Sequence, residues 1–247
     1  MGIFSKMSNW SSDRKDKKVA KSISTLKNPK AIKDDRWMAI MFFEELENAA
    51  VAVPALLNRF DYSIEHGIQD TREKEATLEA VLSYGEDALE HIQTKLTTTT
   101  RIAWPIKALN KLGSDEQVIE VLKESLDFGD IAFDQSKVDK NYDILCYLRE
   151  YKIPNFAEKV AGLLKDHDER VRLAAVEVIL EQDEEIIPGL VEHLLSDTSS
   201  ENTRIRSAVI GAYLAKKWPV KDKEKFNGGL VAEGVFVSKN GHLESRA

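Results

Sequence analysis

The chain repeats itself in its second half, and this repetition constrains the fold more than any other feature of the sequence. Three local patterns recur at one offset of 34 residues: Ile153-Pro154 recurs as Ile187-Pro188, Arg170-Val-Arg172 as Arg204-Ile-Arg206, and Ala174 as Ala208. A fixed period of this kind is typical of arrays in which each repeat is one supersecondary unit that buries its apolar face against its neighbours. The sequence therefore predicts a stack of similar units.

Each unit is predicted to be a pair of helices. Apolar residues between 156 and 164, and again between 171 and 179, recur every three or four positions, which is the spacing of one helix face. Pro154 and Pro188 stand where the second helix of a pair can begin, because the first helical turn leaves its amide hydrogens unpaired in any case. The same alternation continues less regularly from Trp37 to Leu126. We expect about six helix pairs.

The two ends of the chain differ from this array. Residues 1–28 are rich in Ser and Lys and poor in large apolar groups, which predicts a basic lead-in that is flexible or weakly helical. Within residues 219–247, two short strand-like runs flank Lys239-Asn-Gly241, and Asn-Gly between such runs is a hairpin signal. The predicted fold is all-α: a right-handed α-solenoid over residues 29–218, closed by a small C-terminal β-hairpin.

The segment Asp168-Glu-Arg-Val-Arg-Leu-Ala-Ala175 resembles the helix opening of HEAT repeats, including the short bacterial kind related to phycobilisome-lyase repeats. Tetratricopeptide repeats share the period, but their Trp, Gly, Tyr and Ala pattern is missing here. The HEAT resemblance implies a ladder of ion pairs between neighbouring units, with Asp166 and Arg172 at the matching spacing. Arg206 repeats Arg172, but Ser200 stands where its Asp should be, so the ladder is expected to be broken there or to use Asp197.

Charge and composition narrow the kinds of partner. Residues 1–36 carry ten Lys or Arg and four Asp or Glu, whereas residues 61–200 carry fifteen basic and thirty acidic side chains. An acidic middle repels nucleic acid phosphates, so a nucleic acid partner is not expected. No run of apolar residues is long enough for a membrane span. The single Cys146 and the absence of a secretory signal favour a cytoplasmic protein.

The segment 60–70 is the candidate partner-binding site. It is longer than a connection between two stacked helix pairs needs, and Phe60, Tyr62, Glu65 and His66 combine aromatic, acidic and imidazole groups within it. An insertion that only covers an exposed edge of the core explains it equally well. Its acids do not reproduce the ordered spacing of a calcium loop, and no zinc-type pair of histidines is present, so no metal is predicted. Trp37, Trp104 and Trp218 are expected to pack between helices.

The first residues offer a second, weaker contact. Ile3, Phe4 and Trp10 beside several lysines suggest a short basic amphipathic anchor for a membrane surface, with a disordered tail as the alternative. A myristoylation motif is not complete, because Lys6 stands where Ser or Thr is required.

The sequence contains no nucleophile, base and acid at catalytic spacing and no glycine-rich phosphate loop, so we predict no catalytic residues and no cofactor. Stacked helix pairs generally present binding surfaces. The leading prediction is a non-catalytic scaffold or adaptor for a protein partner. Two alternatives stay open: a lyase-related HEAT enzyme or enzyme accessory, and a HEAT protein that binds DNA lesions.

Overall fold

The computed structural model describes residues 3–129, 134–223 and 234–246, with side chains described from residue 15 onward. These residues are predominantly helical and include one small antiparallel sheet, which confirms the predicted helical class and the C-terminal hairpin. The chain divides into two compact units, residues 1–125 and 126–247. The boundaries predicted from the sequence, with an array over 29–218 between a lead-in at 1–28 and a cap at 219–247, stay a prediction.

The described residues of the first unit form seven α-helices, which are α1 (Ile3–Lys27), α2 (Lys33–Glu44), α3 (Ala49–Leu57), α4 (Gly67–Leu82), α5 (Leu89–Thr98), α6 (Ala103–Leu112) and α7 (Asp115–Ser125). From α2 onward, alternate helices pack on each other: α2 on α4 and α4 on α6, and likewise α3 on α5 and α5 on α7. The buried side chains are mainly Leu, Ile, Val, Ala and Phe at helical spacing, so each helix turns one apolar face into a shared core.

Helix α1 occupies the lead-in that was expected to be flexible or weakly helical. Its last three turns place Val19, Ser22, Ile23 and Leu26 at intervals of three and four residues, and Leu26 is fully buried. The helix packs on α2 and α3. Three apolar residues and a buried serine on one face are enough to dock a helix when a partner face is available, although they are a weak signal in the sequence. The side chains of Ile3, Phe4 and Trp10 lie outside the described ones.

The second unit carries five helices among its described residues: α8 (Gln135–Leu148), α9 (Ala157–Ala161), α10 (Glu169–Glu181), α11 (Ile187–Val191) and α12 (Thr203–Lys216). Helices α8, α10 and α12 begin 34 residues apart, and α10 packs on both of the others. Their N-cap residues are Asp134, Asp168 and Asn202, so the period of the sequence is the period of this helix.

The second helix of each pair does not follow that period. Helices α9 and α11 begin 30 residues apart, because the connection before α9 is three residues longer than the one before α11 and α8 is one residue longer than α10. Pro188 lies in the first turn of α11, as predicted, but Pro154 lies before α9. The amide groups of Ile153 and Phe156 are bound instead by the side chains of Gln182 and Glu184. The two Ile-Pro pairs are therefore not equivalent in the structure.

A two-stranded hairpin follows α12. Strand β1 (Val235–Val237) pairs with β2 (Leu243–Ser245), and the turn between them uses Gly241 at a positive φ of 85°. Glycine adopts this conformation without strain, as the Asn-Gly signal predicted. Val235 and Leu243 are buried, and β2 packs on α12. Residues 230–233 of the expected first strand lie outside the described residues.

Candidate functional site

Five charged side chains form a buried network in the first unit. Glu73 accepts hydrogen bonds from Arg36 at 2.8 and 2.9 Å and from Arg59 Nε at 3.0 Å. Asp70 accepts from Arg59 Nη2 and from Lys74 Nζ, both at 2.7 Å. Burying isolated charges costs several kcal/mol per ion, and here each charge has at least one opposite partner at hydrogen-bond distance.

The local structure explains how these groups meet. Asp70, Glu73 and Lys74 lie three and four residues apart on α4 and so share one helix face. Arg36 comes from α2, which packs on α4, and its guanidinium also donates to the carbonyls of Ala31 and Pro29. Arg59 comes from the 3-10 turn Asn58–Asp61 at the end of α3. The network therefore fixes α2, α3 and α4 to one another.

The environment lowers the pKa of both carboxyl groups. Burial alone raises the pKa of Glu73, but hydrogen bonds from Arg36, Gln69 and Arg59 outweigh it and hold the pKa below its ordinary value. Burial likewise raises the pKa of Asp70, and the hydrogen bonds from Lys74 and Arg59 reverse the shift. Both groups are therefore carboxylates at neutral pH, and their negative charges are paired with the cations of the network.

The same network anchors the segment 60–70 at both ends. Arg59 Nη1 donates to the carbonyl of Tyr62 at 3.2 Å, and Asp70 Oδ1 accepts from the amide of Ile64 at 3.2 Å. Asp61 is held by Lys95 Nζ at 2.6 Å and by Thr99 Oγ1 at 3.1 Å. Side chains of the core thus hold the segment as one ordered turn.

The four residues proposed from the sequence as a partner site are separated by this arrangement. Phe60 is 1% exposed and stacks on Trp104 with 5.8 Å between ring centroids, so it belongs to the core and is not free to bind a partner. Tyr62 is half-buried, its ring 4.6 Å from the Arg59 guanidinium, and burial of its hydroxyl raises its pKa. Only Glu65 and His66 are exposed.

Two of the acids in this segment are already engaged in ion pairs, Asp61 with Lys95 and Asp70 with Arg59 and Lys74. Within the described parts of the chain, no three His, Cys, Asp or Glu side chains are grouped so that they could hold a metal ion.

An open groove lies where the start of α4 meets α2. Its volume is about 470 Å³, and the residues that line it, here called the Trp37 groove, are Lys33, Asp34, Trp37, His66, Ile68, Gln69, Arg72 and Glu73. Trp37 is 40% exposed and Ile68 is 68% exposed. On α2 the apolar surface continues to Met38 and Met41, which are also exposed. Solvent-facing apolar groups gathered at one concave place are typical of binding sites.

Sequence reasoning missed this groove, and it placed Trp37 wrongly between helices. The signal was present, because residues 37–43 are seven consecutive apolar residues within one helix. A helix that packs on its neighbours through one face cannot bury all of them. Ala39, Ile40 and Phe43 fill the core, and the opposite side of the run remains in solvent. Trp104 and Trp218 do pack, on Phe60 and on Tyr213 respectively.

The residues assigned to the link between repeats lie together in the second unit, with different partners from those expected. Arg172 Nη1 donates to the main-chain carbonyl of Asp166 at 2.7 Å, and no ion pair joins it to that carboxylate. Its Nε and Nη2 donate to Asn202 Oδ1 at 3.0 and 2.8 Å, and Asn202 in turn donates to Asp197 at 2.5 Å. Arg206 is buried and donates to the carbonyl of Leu195.

Comparison with protein-family models, with curated proteins and with solved structures finds no match to this chain. The fold and the groove therefore define its class by themselves: a predominantly helical protein whose first unit carries an exposed apolar groove backed by a buried network of ion pairs. In the described part of the chain, no helix combines the length and the apolar character needed to cross a bilayer.

Proposed function

We propose that this chain is a non-catalytic scaffold of HEAT type and that it binds a protein partner through the Trp37 groove. The observation that carries the proposal is the exposure of Trp37 and Ile68 in one open groove, with Met38 exposed next to Trp37 in the chain. Aromatic and aliphatic anchors that fill such pockets supply much of the binding free energy at protein interfaces. The charged rim of Lys33, Asp34 and Arg72 suits the polar border of such an interface.

The ion-pair network beside the groove supports a binding role for the groove. Glu73 lines the groove with its charge fully paired, and Arg36 and Arg59 hold it from two other elements. A surface that is ordered before the partner arrives loses less conformational entropy on binding. The network therefore gives the groove a fixed shape and leaves Glu73 itself without a free charge.

The HEAT assignment is supported by the way the helices alternate. In the first unit α2, α4 and α6 pack in series, as do α3, α5 and α7. In the second unit α8, α10 and α12 pack in series at intervals of 34 residues. We propose that the helix pairs within each unit stack in the manner of a right-handed α-solenoid, with Arg172 and Asn202 as a link between successive repeats.

The proposal can be tested by capture with a groove variant. The full chain, a Trp37→Ser/Ile68→Ser variant and an Ile186→Ser control would be immobilised and exposed to soluble extract of the source organism. Ile186 is a matched control because it is 42% exposed and lies in the second unit. We expect a protein that the parent and the control retain and that the groove variant loses.

That protein would then be purified and its affinity measured by calorimetry. Removing two apolar anchors should weaken binding by at least about tenfold, since burying one such side chain contributes roughly 1.5 to 3 kcal/mol. Circular dichroism would establish that all three proteins are folded. A captured set that is the same for the parent and for the groove variant would refute the assignment of the groove.

A further inference from the structure

A second site is indicated on the second unit, where one arginine of a repeated pair has lost its partners. Arg170 is the second residue of α10, and Arg204 is the second residue of α12, 34 positions later. The two side chains thus occupy equivalent places in successive repeats. Both line a smaller pocket of about 160 Å³, together with Tyr142, Cys146, Arg149, Glu169, Leu173, Ala174 and Glu177.

Arg170 shows what this position binds. Its guanidinium donates to Asp139 of the preceding α8 at 2.9 Å and to Asp168, the N-cap of its own helix, at 2.8 Å. It also lies over the ring of Tyr142. Two carboxylates therefore surround a guanidinium at this position, in the paired geometry that arginine and carboxylates favour.

Both carboxylates are missing from the next repeat. The residue 34 positions after Asp139 is Leu173, and the residue 34 positions after Asp168 is Asn202. Asn202 cannot replace Asp168 as an acceptor for Arg204, because its amide oxygen accepts from Arg172 and its amide nitrogen donates to Asp197. Arg204 is exposed and has no ion pair among the described residues.

The acids that line the pocket do not fill this role. Glu177 is engaged by Arg149 Nη1 at 2.9 Å, and Glu169 makes no ion pair with any described residue. Of the three arginines that line the pocket, Arg149 is paired with Glu177 and Arg170 with Asp139 and Asp168, which leaves Arg204 as the lining guanidinium without a described ion pair. Arg204 is therefore the cation of this pocket that is left to bind an anion.

We propose that Arg204 marks a binding site for a carboxylate, which takes the place that Asp139 and Asp168 occupy around Arg170. A partner's Asp or Glu side chain and a free small carboxylate share this chemistry. The source in a protein partner rests on the proposed scaffold function, whereas the site itself does not depend on the Trp37 groove.

The single cysteine of the chain provides a local readout, because Cys146 is half-buried and lines the same pocket. The rate at which N-ethylmaleimide alkylates Cys146 in the full chain would be measured against rising concentrations of a capped hexaglutamate peptide, a capped hexaglutamine peptide and acetate. Arg204→Gln is the test variant. Lys165→Gln removes one exposed positive charge of the same unit from outside the pocket and is the matched control.

We expect hexaglutamate to slow alkylation in a saturable way and hexaglutamine to have no effect. In Arg204→Gln the half-saturating concentration should rise by about tenfold or more, and in Lys165→Gln by less than about twofold, because only a direct charged contact is worth that much. Protection by acetate at the same carboxylate concentration would assign the site to a free carboxylate, and protection by the peptide alone would assign it to a protein partner. Equal protection of the parent and of Arg204→Gln, or no protection of the parent by any carboxylate, would overturn the proposal.

Discussion

Arg59 Nε donates to Glu73 Oε2 over 3.0 Å, and neither side chain has appreciable contact with solvent. Arg59 reaches this place from the end of α3, and Glu73 also binds Arg36 from α2. The pair is therefore the point at which three helices of the first unit are joined. Removal of the pair should lower the stability of that unit.

We expect Glu73→Gln to lower the free energy of unfolding by about 3 to 5 kcal/mol, because it leaves two buried guanidinium groups without their common counter-charge. Urea unfolding followed by circular dichroism measures this loss. Glu79→Gln is the control, since Glu79 lies on the same helix and pairs with Lys111 at 3.5 Å on the surface. Its cost should stay below about 1 kcal/mol. Similar unfolding midpoints for the two variants would show that the buried network does not contribute to stability.

Stability should also fall in acid through these carboxyl groups. The folded pKa values of Asp70 and Glu73 lie below the ordinary values of 3.8 and 4.5, so their stabilisation is complete above those values. It is lost as the pH falls through the ordinary values towards the folded ones, because the unfolded chain then binds more protons. Urea midpoints measured between about pH 6 and pH 3 should drop for the parent. The decline should be shallower for Asp70→Asn/Glu73→Gln, and an equal decline would contradict the assignment.

Arg172→Ala should destabilise the second unit by about 1.5 to 3 kcal/mol, because it leaves the carbonyls of Asp166 and His167 and the Asn202 amide without a charged donor. Thermal unfolding provides the measurement. Lys18→Ala is the control, since Lys18 is exposed on α1 and its charge makes no described ion pair, only a contact with the ring of Phe42. A melting temperature of Arg172→Ala equal to that of the control would show that the link between the repeats carries no stability.

Binding to duplex DNA should be negligible near physiological salt, because residues 61–200 carry twice as many acidic as basic side chains. Phosphate contacts would have to be made against this charge rather than through the release of counterions. Fluorescence anisotropy with a labelled duplex, at low and at physiological salt, measures the affinity. A micromolar affinity that falls steeply with salt would instead favour the alternative of a lesion-binding protein.

The part of the fold that the sequence could predict is the part governed by local rules. The period of helices α8, α10 and α12 is visible in their caps, arginines and apolar spacing. The hairpin turn is visible in Gly241, a residue that accepts a positive φ. The match of Ile153-Pro154 with Ile187-Pro188 was misleading, since the length of a connecting segment decides where α9 begins. The amides of this segment bind the side chains of Gln182 and Glu184 from a distant part of the chain, and no local pattern contains these contacts.

The candidate site was less accessible to prediction for the same reason. The segment 60–70 was found from its length and composition, but the burial of Phe60 depends on Trp104, more than forty residues away. The exposure of Trp37 depends on which face of α2 meets α4. The seven apolar residues of that helix indicated that some would remain in solvent, yet only the packing of α2 decides which ones.

The anchoring of the segment 60–70 divides its residues into those that hold its structure and those that can be substituted without loss of that structure. Arg59, Asp61 and Asp70 fasten its base, whereas Glu65 and His66 stand at its tip, where their side chains make no described hydrogen bond or ion pair and His66 lines the Trp37 groove. Substitutions at the tip therefore alter the lip of the groove without loosening the frame. Partner choice can therefore be changed at the tip while the ionic frame beneath it is kept.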